Sequence, residues 1–259
     1  MGVQGLWSFI KRKGYEPELC HQLSLTTQDP TRKAVCRIDV LGTFFTTIRN
    51  AYTHHPLDTA HRIVEKEISK IGHKAQLVLV LDGAQAKEKR ATHEVREKAR
   101  VEAKTRAQTL LHDLKDRISK GQRVRKWRFL EIDKNITKSF YWTPEARTAF
   151  TDYMKQNGWH VMIAETEADL SIACNSRPED LVVSRDSDMI IYDNIRTICR
   201  PISRGRFLVY DVQEVAAALC ISRIQLTVLG VVSRNDYSKN IHSLGCASNY
   251  AIIKELKGS

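Results

Sequence analysis

Four short apolar runs in this chain each end in acid. Residues 35–40 carry Asp39 and residues 76–81 stop at Asp82. Residues 159–163 run into Glu165, Glu167 and Asp169, and residues 181–183 run into Asp186 and Asp188. For any one of these acids the plain reading is a helix cap or a turn residue, because Asp is among the preferred N-caps. Four strand ends with the same feature point instead to one shared cluster. Carboxylates crowded together cannot all stay ionised without a compensating cation. Hard oxygen donors with no Cys or His among them suit Mg²⁺ or Mn²⁺ and not zinc.

The second chemical feature is basic. Residues 87–128 hold 15 Lys/Arg against 6 Asp/Glu, a net +9 within a chain of net +11. Lys89 and Arg96 lie two helical turns apart and so share a face. A solvated charged helix is the plain alternative. The run begins directly after Asp82, however, and a basic face beside an acid–metal cluster is what a phosphodiester needs. The cations hold phosphates, while metals activate water and stabilise the leaving oxygen.

The elements that position these groups follow from the pattern. Helical stretches at 58–71 and 143–157 lie between the apolar runs, and this alternation predicts an α/β domain with a mainly parallel sheet. In such sheets the ligand site lies outside the carboxyl ends of the strands, where the acids would converge. Val101, Thr105, Thr109 and Leu110 recur at helical spacing, so much of the basic stretch is expected to be helix. Trp127, Phe129, Phe140, Tyr141 and Trp142 lie in or after it. They are able to stack on bases, but aromatics beside apolar residues are read here as core. His54 and His55, before Pro56, read as loop residues, and His160 as a structural strand residue.

With 259 residues the chain holds one domain, or two at most. Its 42% apolar and 27% charged residues are globular values that exclude global disorder. The positive excess calls for a polyanionic partner, most often nucleic acid. No apolar run approaches membrane-span length, and no membrane partner is expected. Six scattered cysteines without a CxxC pair exclude a zinc ribbon and a disulfide scaffold, and they read as buried thiols. The basic cluster Lys11-Arg12-Lys13 follows the first apolar stretch instead of preceding it, unlike a signal peptide. Leu6 stands where a myristoylation signal needs Ser or Thr. The expectation is a reducing, intracellular protein.

Together these segments resemble the flap endonuclease/XPG family of structure-specific 5′ nucleases. Met1-Gly2-Val3-Gln4-Gly5-Leu6-Trp7 resembles the family's N-terminal MG(I/V)QGL signature, with a Trp most like the XPG branch. Arg37-Ile38-Asp39 resembles its first acidic strand, and Leu81-Asp82-Gly83 its FDG. The spacing from Asp82 to Lys89 and Arg96 matches the basic pair of the family's gateway helix. Ala164-Glu165-Thr166-Glu167-Ala168-Asp169 resembles APSEAEA, and Arg185-Asp186-Ser187-Asp188 resembles (E/S)D(M/S)D. Asn235-Asp236-Tyr237, followed by Ser243-Leu244-Gly245, resembles GxDY before a helix-two-turn-helix. The motifs occur in the family's order along nearly the whole chain.

The resemblance implies a PIN-like α/β fold: a central mainly parallel sheet flanked by helices, a helical arch and a C-terminal helix-two-turn-helix. The chain would form a single nuclease domain over 1–259. Its N-terminal nuclease region would span 1–100, its basic arch 87–137, its internal nuclease region 143–230 and its helix-two-turn-helix 231–259. The resemblance implies seven metal-site acids. Asp39, Asp82, Glu167 and Asp169 would serve one Mg²⁺, and Asp186, Asp188 and Asp236 a second, with Asp169 near both. Mn²⁺ would substitute, and K⁺ would sit at the helix-two-turn-helix. Two such metals roughly 4 Å apart suit in-line attack of water on a phosphodiester. Lys89 and Arg96 would steer the scissile phosphate. DNA contacts are expected from Gly2, Lys87, Arg90, Arg100, Lys104, Arg123, Arg125, Lys126, Arg128, Arg234 and Gly245.

The partner expected is branched or junction-containing DNA, bound by a monomer in the nucleus, with no sliding-clamp tail visible in this segment. Three departures stand out. Asp169 replaces the usual Glu, Arg234 stands where the family usually has Gly, and Cys246-Ala247-Ser248 follows Gly245 in place of Pro-Lys. A non-catalytic nucleic-acid-binding scaffold of the same fold is the alternative. All seven acid positions remain acidic, which favours activity. A ribonuclease of the broader PIN-like fold is a third reading, less consistent with the N-terminal signature.

Overall fold

The computed structural model describes residues 3–21, 23, 34–84, 89–233 and 244–256. Its frame is one seven-stranded sheet: β1 (Glu18–Cys20), β2 (Cys36–Asp39), β3 (Leu77–Leu81), β4 (His160–Ile163), β5 (Leu181–Val183), β6 (Thr197–Pro201) and β7 (Phe207–Asp211). The strand order is β1-β7-β6-β5-β2-β3-β4. The strands from β6 to β4 are parallel, while β7 and β1 run antiparallel at one edge. The four acid-ended runs are β2, β3, β4 and β5. The sequence reading did not identify β1, β6 and β7. Arg200 and Pro201 in β6 and the exposed edge position of β1 blur their apolar signal.

Successive strand residues point to opposite faces, and the packing follows that period. Leu77, Leu79 and Leu81 of β3 join one buried cluster, while Val78 and Val80 join the other. A central parallel strand covered on both faces accounts for its unbroken apolar run. The cluster on one face is closed by α2 (Val40–His54), α3 (Leu57–Ile68) and α6 (Pro144–Gln156). The other is closed by α1 (Leu6–Arg12), α7 (Ala168–Asn175), α8 (Val212–Ala218), α9 (Arg223–Val232) and α10 (Cys246–Glu255). In α2 the buried positions Val40, Phe44, Ile48 and Ala51 fall on one helical stripe. The predicted 143–157 helix is α6, with Thr143 as its N-cap and Pro144 in its first turn.

Between β3 and α6 the chain makes a long excursion, α4 (Arg90–Ser119) followed by α5 (Lys126–Ser139). The two helices pack antiparallel, since Arg106 bonds Glu131 at 2.7 Å and Asp113 pairs with Arg128. Thirty residues make α4 about 45 Å long. Its seam differs from the expected one. Val101, Thr105 and Thr109 face solvent, and Ala103, Ala107 and Leu114 are buried against α5, with Leu110 half-buried. Small alanines let the two basic helices approach closely, whereas Val101 lies on the outer face. The charged surface is held by i,i+3 and i,i+4 pairs such as Arg90–Glu94 and Arg117–Asp113.

Further sequence expectations are corrected here. Trp142 is buried, but Trp127, Phe129 and Tyr141 are about half exposed. They sit on a thin two-helix excursion and its exit, where little core exists to cover them. Cys36 and Cys199 are buried, whereas Cys174 and Cys220 are exposed on the surface. His54 is not a loop residue: it ends α2, and His55 caps it. Among the described residues no single helix is long and apolar enough to cross a membrane.

Candidate active site

The strand order reverses between β2 and β5: the chain proceeds from β2 to β3 and β4 on one side, then returns to β5 and β6 on the other. The crevice beyond the carboxyl ends of such a pair is where ligands bind in open α/β sheets. Asp39 stands at the end of β2 there, 6% exposed. Its Oδ1 accepts from the Gly42 amide at 2.8 Å, capping α2. Its Oδ2 accepts from the Ser184 hydroxyl at 2.8 Å, across the crevice. Ser184, fully buried at the end of β5, also accepts from the Asp186 amide at 3.0 Å. Asp186 in turn caps the 3₁₀ turn Ser187–Ile191, accepting from the Asp188 amide at 3.2 Å. A Cβ at Gly42 would fall 1.9 Å from Asp39 Oδ2, so only glycine leaves room for the carboxylate.

The β3 end is built the same way. Asp82 Oδ1 accepts from the Ala168 amide at 2.8 Å at the start of α7. The Gly83 and Ala84 amides donate to the Thr166 and Glu165 carbonyls at 2.7 and 3.0 Å. A Cβ at Gly83 would lie 1.8 Å from the Ala164 carbonyl oxygen. These contacts join the 81–83 and 164–169 motifs and bring Glu167 and Asp169 beside Asp82. Asp169 Oδ2 accepts from the Tyr192 hydroxyl at 3.2 Å. The N-terminal motif docks on the β5 end: Trp7 Nε1 donates to the Arg185 carbonyl at 3.2 Å, and Ser187 Oγ donates to the Val3 carbonyl at 3.1 Å. From below, Arg223 and Thr227 of α9 bond the carbonyls of Ile190 and Ile191 and hold the turn that carries Asp188.

Charge links the acids into one set. Burial pushes Asp39 up to about 7; the Gly42 amide and Ser184 hydroxyl oppose this, and the charges of Asp82 and Asp186 add to it. Burial also raises Asp82, aided by Glu167 and Asp169 and opposed by the Ala168 amide and Lys89. Over this cluster stands the start of α4. Lys89, its N-cap residue, is buried and places Nζ 2.5 Å from Glu167 Oε2. Lys89, His93, Arg96 and Arg100 follow at helical spacing on one face. Burial and then Arg96, Arg100 and Lys89 hold His93 below the usual imidazole range, against the pull of Glu167.

The structure thus brings Asp39, Asp82, Glu167, Asp169, Asp186, Asp188, Lys89 and Arg96 to one end of the sheet, with Arg100 on the same face of α4 about 16 Å beyond Lys89. It does not bring the other basic candidates there. Arg90 is exposed and paired with Glu94. Lys104 lies fifteen residues beyond Lys89, about 22 Å along α4. Arg123, Arg125, Lys126 and Arg128 are at the far turn of the hairpin, with Arg128 on Asp113. Gly245 is the N-cap residue of α10. Gly2, Lys87, Arg234 and Asp236 lie outside the described residues, as does most of the segment between α9 and α10. Sequence reasoning missed Gly42, Ser184, His93 and Arg147, whose Nη1 donates to the Asp82 carbonyl at 3.4 Å. The first three had signals: Gly42 three residues after a capping Asp, Ser184 two before Asp186, and His93 one turn after Lys89.

The donor set fits a hard divalent cation. It is made of carboxylates joined by a hydroxyl; burial raises Asp39, and the charges of Asp82 and Asp186 add to that rise. Among the described residues no three acids or histidines stand close enough together to enclose an ion. The carboxylates are held instead as helix caps and as the partner of Lys89.

No family model matches this chain, and no curated protein matches it. Solved structures do. The catalytic core of Rad2 in complex with DNA substrate is 15% identical over 98% of this chain and 67% of that chain, with a TM-score of 0.61. Human GEN1 in complex with Holliday junction DNA is 14% identical over 100% of this chain, with a TM-score of 0.54. This chain spans only 56% of the GEN1 chain. Both belong to the flap endonuclease/XPG nucleases. The seven-stranded, mostly parallel sheet with its inserted helical hairpin is the PIN-like fold of those flap nucleases.

Proposed function

We propose that this protein is a metal-dependent, structure-specific DNA nuclease that hydrolyses phosphodiesters near 5′ single-strand/duplex junctions. One observation carries the reading: the acids at the ends of β2, β3 and β5, and those leading into α7, interact across the topological switch point, directly beneath the buried Lys89. Asp39, Asp82, Glu167 and Asp169 would hold one Mg²⁺, and Asp186, Asp188 and Asp236 a second, with Mn²⁺ able to substitute. Bound there, the ions supply Lewis-acid stabilisation of developing phosphate charge and a nucleophile at neutral pH. The chain's own groups do the rest. Lys89 and Arg96 orient the phosphate and offset its charge in a site where Lys89 is shielded from water. Ser184 fixes the Asp39 carboxylate relative to Asp186. The helical hairpin supplies the cationic track for the backbone of the strand.

The close pairing of Lys89 with Glu167 favours a second reading, a non-catalytic nucleic-acid-binding scaffold in which the ammonium takes the place of a metal. Cleavage of labelled 5′-flap, bubble, Holliday-junction, blunt and single-stranded DNA with Mg²⁺, Mn²⁺ or EDTA separates the two. Metal-dependent cutting at the junction is the result expected. Binding without cutting in either metal supports the scaffold, and absence of binding overturns both.

A further inference from the structure

The face of α4 that begins at Lys89 ends at a pair that no step above uses. The Arg100 guanidinium carbon lies 4.6 Å from the centre of the Tyr141 ring. Arg100 is held from the other side by Glu97, its Nε donating to Oε2 at 3.0 Å. Tyr141 is half exposed, yet the chain around it is fixed. Phe140 meets Phe45 edge-on at 6.2 Å, and Trp142 is buried between Tyr52 and Phe150. Thr143 then caps α6, from which Arg147 reaches the Asp82 carbonyl. Tyr141 is therefore an exposed planar ring on a rigid support between the hairpin and the acid cluster. Arg100 lies eleven residues from Lys89, about 16 Å along the helix.

An exposed aromatic with a guanidinium already seated on it suits one ligand class in this setting. A nucleobase stacks on such a surface whatever its identity, and the cation strengthens the contact while facing the backbone. We propose that Tyr141 and Arg100 form a stacking platform for an unpaired nucleobase, a few nucleotides along the strand from the phosphate at Lys89. The proposal rests on the nuclease reading and adds a base contact to its phosphate contacts.

The test is binding in EDTA to a 5′-flap duplex with an oligothymidine flap, and to a series in which one flap thymidine at a time is abasic. The wild type should lose about five-fold or more in affinity at one or two flap positions and little elsewhere. Tyr141→Ala should show that loss on the intact flap and no further loss at those positions. Tyr141→Phe, which keeps the ring, should behave as wild type and exclude a folding effect. Arg100→Ala should weaken binding to the intact flap, shrink the loss at the same abasic positions and reduce the salt slope by about one; a loss equal on all substrates would remove Arg100 from the platform. A Tyr141→Ala protein with wild-type affinity and the wild-type abasic profile overturns the platform alone. A wild type that binds no flap DNA overturns the nuclease reading with it.

Discussion

Replacing Asp39 with Asn should make the metal-free protein more stable while destroying its activity. Asp39 is buried, and its acid ionises at about 7 in the folded protein against an ordinary value of 3.8. The folded state therefore keeps a proton that the unfolded state gives up, and stability falls as pH rises from about 4 to about 7. Linkage across that gap amounts to about 2 kcal/mol at pH 5 and about 4 kcal/mol at pH 8. Asn removes this loss and keeps the geometry. Its oxygen accepts from Gly42 as the carboxylate does, because Asn and Asp cap equally well. Its amide donates to Ser184, whose oxygen also accepts from the Asp186 amide, while the Ser184 proton gives up its carboxylate acceptor and so offsets part of the gain. The assay is urea unfolding in EDTA at pH 5 and pH 8. The advantage of the Asn protein should grow by about 2–3 kcal/mol between the two. Adding Mg²⁺ at pH 8 should then remove most of that advantage: an ion at a hundred times its Kd stabilises the wild type by about 2.7 kcal/mol and the variant by much less. A wild type at least as stable as the variant at pH 8 in EDTA would refute the burial argument for Asp39.

Other substitutions probe the remaining parts. Asp186→Asn keeps the cap on the Asp188 amide, so it should leave flap-DNA affinity nearly unchanged while Mg²⁺-dependent cleavage falls about a hundred-fold or more; single-turnover rates and a binding isotherm measure both. Lys89→Ala should slow single-turnover cleavage on the order of 10²–10³-fold and weaken binding far less, and an effect on affinity alone would reduce Lys89 to a phosphate contact. Gly83→Ala drives a methyl into the Ala164 carbonyl and should cost about 2–4 kcal/mol, a fall of about 5–15 °C in Tm by thermal scanning; an unchanged Tm would mean that the joined β3 and β4 ends yield freely.

Much of this arrangement was legible from residue type and spacing. The strands β2, β3, β4 and β5 announce themselves as apolar runs, because parallel strands covered on both faces have no polar side to interrupt them. Lys89 and Arg96 share a face as their spacing implies. What was not legible depends on contacts between distant segments. The α4 seam runs through Ala103 and Ala107, and their role emerges only when α5 packs against them. Tyr141 looks like its buried neighbour Trp142 in sequence, and only the exit of the hairpin turns the two rings apart. Ser184 is an ordinary buried serine until β5 is laid beside β2.

The strand-end acids show why local sequence cannot separate a cap from a catalytic group. Asp39, Asp186 and Asp211 are each a strand-end Asp that caps the helical turn after it. Asp211 accepts from the Gln213 and Glu214 amides at 2.8 and 3.1 Å, a cap as complete as that of Asp39. Its strand, β7, runs antiparallel to β6, so its carboxyl end lies at the opposite end of the sheet from the other acids, beside the start of β6. There Asp211 pairs with Arg196, and it has a structural role only. Asp39 and Asp186 perform the same local task on parallel strands, and their charges consequently meet. The capping bonds hold these carboxylates in place, whereas burial and their mutual repulsion leave the cluster under electrostatic strain. A cation placed there would relieve this strain and would meet groups already positioned by the helices they cap.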